Sequence, residues 1–64
     1  MTYMQTTRTT AIRDLKIGDI EASYPHSIAD VRAWEHPKLG AVVTITYSNG
    51  TGSTRQARLK TKVA

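Results

Sequence analysis

The sequence predicts an all-β domain of about five short strands; the alternative is a small antiparallel sheet carrying one short helix. Three observations lead there. Residues 41–47 alternate Val43, Ile45 and Tyr47 with Val42, Thr44 and Thr46, the period of a strand with one face in a core. Asn49-Gly50 follows, a dipeptide whose two members both tolerate the left-handed backbone that tight hairpin turns require. Turn residues at Gly18, Pro25, Pro37 and Gly40 cut the rest of the chain into short pieces.

The 64 residues form a single domain, with residues 1–5 and 61–64 expected to be loosely held. Residues 6–12 are threonine-rich, end on an apolar residue, and read as a first strand. In residues 13–20 the apolar members are Leu15, Ile17 and Ile20, and Gly18-Asp19 marks a turn in which an Asp side chain bonds the backbone. Residues 21–27 are a connection, because Pro25 lacks a donor and biases Tyr24 to extended backbone.

Residues 27–35 admit two readings. As a strand, Ala29, Val31 and Ala33 face one way, and Ile28, Asp30, Arg32 and Trp34 the other. As a helix, Ser27 would cap a turn carrying Ile28, Val31 and Trp34 at three-residue spacing. The strand is preferred, with at most one helical turn near residues 27–34, since so short a helix has little stability alone.

After a turn at residues 36–40 and the strand at 41–47, Gly52 suggests a loop longer than two residues. The return strand is expected over residues 53–59, with Ala57 and Leu59 inward and Arg55 near the rim, its head in water.

The segment Asp14-Leu15-Lys16-Ile17-Gly18-Asp19 resembles the entry turn of SH3-like small β-barrels. The valine-rich strand, the Ser-Asn-Gly turn and the polar return strand are similar to the same family, including short barrels of actinobacteria and their phages. The resemblance implies a closed barrel with an apolar pair plugging one end, an interaction role, and no catalytic residues.

Composition narrows the chemistry. There is no cysteine, so neither a disulfide nor a thiolate zinc site can form. No leader or membrane span is visible, and a soluble cytoplasmic protein is expected. A chain this short buries roughly 60% of its unfolded surface, so closure of a sheet or oligomerisation is the available route to stability. His26 and His36 each adjoin a proline turn; a metal site with Asp30 or Glu35 would match no closed zinc spacing, so turn roles are expected and no metal or cofactor is. No nucleophile–base pair or phosphate-cradling glycine loop is present, which argues against an enzyme.

Charge is the feature with functional weight. The net charge is +4. Residues 1–40 hold five cations and five acids, whereas residues 41–64 hold Arg55, Arg58, Lys60 and Lys62 with no acid. Four cations beside one strand can neutralise phosphates, and Trp34, Tyr47, Tyr3 and Tyr24 offer stacking surfaces if exposed. A solvated edge strand, protected by its charges from aggregation, explains the same residues without a ligand. A core role for Trp34 and Tyr47 is equally open, because the chain has no phenylalanine. The expected function is a small non-enzymatic binding module, in the setting of a phage accessory protein, that contacts nucleic acid through Arg55, Arg58, Lys60 and Lys62, with Trp34 and Tyr47 as contact candidates. The alternative partner is an acidic protein or a second copy of the chain.

Overall fold

A computed structural model describes residues 7–64, and the chain is all-β over that range with a single 3-10 turn. Five strands make two antiparallel sheets. β2 (Ile28–His36), β3 (Gly40–Tyr47) and β4 (Gly52–Gln56) form a meander, and β1 (Arg8–Ala11) pairs with β5 (Lys60–Val63). The sheets do not close into one barrel, so the closure implied by the resemblance is not observed; they meet at two corners. At one, Ala57 N–H donates to the Ala41 carbonyl at 3.0 Å while the Ala57 carbonyl accepts Arg13 N–H at 3.3 Å. At the other, Glu21 bridges Val63, and Ile28 N–H donates to the Asp19 carbonyl at 2.9 Å. No helix among the described residues is long and apolar enough to cross a membrane.

The core lies between the sheets. Ile12, Leu15, Ile28, Val43, Ile45, Tyr47, Ala57 and Val63 form one buried cluster, with Tyr24 and Val31 packed against it. The alternation in residues 41–47 explains β3: Val43, Ile45 and Tyr47 face in, as expected. The strand reading of residues 27–35 holds. One shift was not foreseen: Ile28 pairs with Tyr47 but Asp30 pairs with Thr46, so Ala29 is an extra residue, a bulge. The bulge turns Ile28 into the core with Val31, leaving Asp30, Arg32 and Trp34 on the outer face.

The helical turn sits at Ile12–Asp14, not near residues 27–34. Ile12 is 1% exposed there, and the turn folds the chain under the core directly after β1. Leu15 is buried as a plug, but Ile17 is 66% exposed, so the plugging pair is reduced to one member. The Gly18-Asp19 turn forms as expected, with Gly18 at φ +95° and Lys16 N–H donating to Asp19 Oδ2 at 3.0 Å.

The return strand expected over residues 53–59 is divided. β4 stops at Gln56, the chain turns at Ala57 and Arg58, and β5 begins at Lys60 in the other sheet. Ala57 is buried, but Leu59 lies outside, 42% exposed, because the strand period is broken between them. Residues 61–64 are likewise not a loose tail: Thr61 and Lys62 pair with Thr10 and Thr9, and Val63 is fully buried. The expectations for residues 1–5, and Tyr3 among them, lie outside the described residues.

In the β3–β4 loop only Gly50 takes positive φ, at +87°, while Asn49 does not. Gly50 N–H closes the turn on the Tyr47 carbonyl at 2.9 Å, and the Asn49 side chain accepts from Thr51 N–H and Oγ1. This is a longer hairpin loop than the primed two-residue turn, in which both central residues would be left-handed. A Cβ at Gly50 would meet no atom within 4 Å, so the conformation alone opposes a side chain there. Gly50→Ala is therefore expected to cost about 1–2 kcal/mol in urea unfolding; a loss well above that range would point to a steric clash instead.

Candidate functional site

Two polar constellations stand out, one inside the fold and one on its surface. The inner one is centred on Glu21, which is 3% exposed. Its carboxylate accepts from Arg55 Nη1 at 2.9 Å, Arg55 Nη2 at 2.6 Å, Thr61 Oγ1 at 2.7 Å and the Tyr47 hydroxyl. Arg55 Nη2 also donates to the Tyr47 oxygen at 2.9 Å. Burial alone would raise the Glu21 carboxyl, but these donors and the Arg55 charge outweigh it and hold the pKa at about 2, below the ordinary 4.5. Burial, then the hydrogen bond to Glu21, pushes the Tyr47 phenol up to about 12. The hydrogen bonds from Arg55 to Glu21 raise the Arg55 guanidinium as well.

This constellation removes two residues from the expected binding set. Arg55 does not send its head to water; its register partner is Val43, so its side chain shares the core-facing side of the sheet and meets a buried carboxylate. Tyr47 is 7% exposed and is a core residue. A groove of about 340 Å³ opens beside the pair, with Tyr24 and Thr51 on its walls. Its floor charges pair with each other, and Arg55 Nε is left buried without a hydrogen-bond partner.

The outer constellation lies on the far side of the β2–β3–β4 sheet. Pairing sets out its rows: Trp34, Val42 and Gln56 form one, Arg32, Thr44 and Thr54 the next, and Asp30 with Thr46 the third. Trp34 Nε1 donates to Thr44 Oγ1 at 2.8 Å, and Thr44 and Thr54 share a hydroxyl hydrogen bond of 3.0 Å. The first bond draws the indole across the sheet toward β3. Val42, fully buried yet on the face away from the core cluster, lies beside it in register. Trp34 thus keeps structural contact on one side while 41% of its surface stays open. Asp30, Arg32, Trp34, Thr44 and Thr46 line a shallow groove of about 520 Å³. Arg58, on the turn after β4, donates from Nη2 to Gln56 Oε1 at 3.2 Å, which holds its guanidinium at the Trp34 row.

Lys60 and Lys62 are exposed on β5, two residues apart and on its outward side, since Thr61 and Val63 between and beyond them point in. The four cations expected on one strand are therefore split: Arg55 inside, Arg58 at the corner, and Lys60 and Lys62 on the second sheet. Arg32 and Thr44 were not singled out, and Asp30 was weighed only as a metal ligand, although strand alternation already placed Asp30, Arg32 and Trp34 on one face. Equal numbers of acids and bases over residues 1–40 hid them. The histidines stay in turn roles: His36 Nδ1 accepts from Lys38 and Leu39 N–H, and His26 packs edge-on to Tyr24. Among the described residues no three of His, Asp or Glu come together as a metal site would need.

Comparison with protein-family models, with curated proteins and with solved structures gives no match for this chain.

Proposed function

We propose that the chain is a non-enzymatic, SH3-like binding module for single-stranded nucleic acid, with Trp34 as the stacking platform. The observation that carries the reading is the indole itself, half-open, tied across the sheet by Thr44, and in one groove with Arg32, while Gln56 holds Arg58 at the far strand of the same row. A flat aromatic surface with a guanidinium beside it suits an unpaired base with its flanking phosphates. Lys60 and Lys62 extend the cationic path from Arg58 along β5, about 6.6 Å apart at the strand rise.

Trp34 is the only tryptophan, so its fluorescence reports directly on the platform. Short single-stranded DNA and RNA are expected to quench it, with affinity falling as salt rises by a log–log slope of about −0.7 for each phosphate neutralised. Arg58→Ala should make that slope shallower by about 0.7, and Trp34→Ala should weaken binding by about 1–3 kcal/mol. Trp34→Phe, which keeps a ring over Val42, should retain part of the affinity. Absence of binding at low salt, or a flat salt slope, would remove the reading. A protein-interaction module is the second reading, favoured by Ile17 and Ile20, exposed on the loop before β2 at 66% and 40%.

A further inference from the structure

We infer that the groove beside Trp34 prefers guanine, with Asp30 as the group that selects it. The inference rests on the single-strand reading above and adds a base specificity to it. Along the outer face of β2 the order is Asp30, Arg32, Trp34, and all three line the same groove. An indole and a guanidinium are among its lining groups, and both kinds of group stack on bases without regard to sequence.

Asp30 does not fit that indifferent role. A carboxylate in a surface that gathers phosphates repels the ligand, unless it meets hydrogen-bond donors on the base. It is not neutralised by its neighbour: among the described residues the ion pairs are Arg8–Asp19 and Arg55–Glu21, and Arg32 two positions away is not joined to it. Ionised, it can only accept, through two oxygens.

In a single strand the Watson–Crick edge is open to be read. Guanine offers two adjacent donors there, N1–H and the N2 amine, matching the two oxygens of one carboxylate. Adenine and cytosine each offer one amine beside a ring-nitrogen acceptor, which faces the second oxygen unfavourably. Thymine and uracil place their single N–H between two carbonyls, which a carboxylate repels. The base that fits Asp30 while stacked on Trp34 is therefore guanine. Thr44 and Thr46 hydroxyls along the floor are left to bond the sugar or phosphate.

The test is titration of the intact chain, read by Trp34 fluorescence at low salt, with three DNA pentanucleotides. Each has thymines at the flanks and guanine, adenine or hypoxanthine at the centre. Guanine should bind about tenfold more tightly than adenine, in the range of one good bidentate base contact. Hypoxanthine, which lacks only the N2 amine, should fall between them. Asp30→Asn should bring guanine and adenine together while the adenine pentanucleotide binds at least as well as to the unaltered chain. Asp30 is exposed, so the variant folds on the same core. Guanine and adenine binding within twofold, or a preference that survives Asp30→Asn, overturns the inference and leaves the single-strand reading standing. No quenching by any of the three at low salt removes that reading, and the specificity with it.

Discussion

Glu21→Ala is expected to remove a large part of the folding stability. The substitution leaves the Arg55 guanidinium without its counter-ion and the Tyr47 and Thr61 hydroxyls without their shared acceptor. Breaking a buried pair by removing one partner typically costs about 3–5 kcal/mol. A domain of this length holds roughly 3–10 kcal/mol in total. Urea denaturation followed by circular dichroism measures the loss, and a change below about 1 kcal/mol would show that the pair is not a structural bolt. The same constellation sets the pH limits. Glu21 titrates at about 2 in the fold against 4.5 as its ordinary value, so its contribution is complete above about 4.5 and is lost as pH falls through 2. Tyr47 is raised from 10.0 to about 12, so its contribution is present below 10 and is lost as pH rises through 12. The contribution of this constellation should be flat between those limits, and Tyr47→Phe should shift the alkaline edge while leaving the acid one at low pH.

Ile45→Ala is the second large effect. Ile45 is fully buried on the middle strand, opposite Val31 and Ser53, with the core cluster on its inner side. Truncation removes three methyl or methylene groups and leaves a void that two sheets this small cannot fully collapse around. About 2–5 kcal/mol is expected. Val42→Ala, on the same strand and equally buried, should cost less, since it lies on the outer face in register with Trp34 and not in the packed interior. Equal losses at the two positions would mean that the outer face is packed as tightly as the core.

What could be read from residues alone follows the strength of the local signal. β3 was legible because residues 43–47 alternate apolar side chains with threonines without interruption, and so was its hairpin with β4. The class was therefore clear, and the strand preference for residues 27–35 followed from it. The bulge at Ala29 was not legible: a bulge breaks the period by one residue, and nothing in Ile28-Ala29-Asp30 marks which residue is extra. The end of β4 at Gln56 was equally hidden, since Arg55 through Val63 keeps a near-perfect alternation across a break at Ala57 and Arg58. That single hidden corner carried the largest functional error. It joined Arg55, Arg58, Lys60 and Lys62 into one imagined arm, when the fold sends the first inward to Glu21. The partner of Arg55 is 34 residues away in sequence, and a count of charges treats Glu21 as cancelled by nearer cations.

The pairing of β1 with β5 has a kinetic consequence. β2, β3 and β4 each join a neighbour through a loop of a few residues, whereas Arg8 faces Val63 from opposite ends of the described chain. Loop-closure entropy disfavours that second pairing until the meander exists to receive it. The meander is thus the nucleus, and the two-stranded ribbon closes over it last. Glu21 bridges Val63 of that late ribbon and binds Arg55 of the early sheet. The ion pair is therefore a latch between two folding units, absent from the nucleus and present only in the finished domain. In such a position it acts on how long the native state lasts and scarcely on how fast it forms.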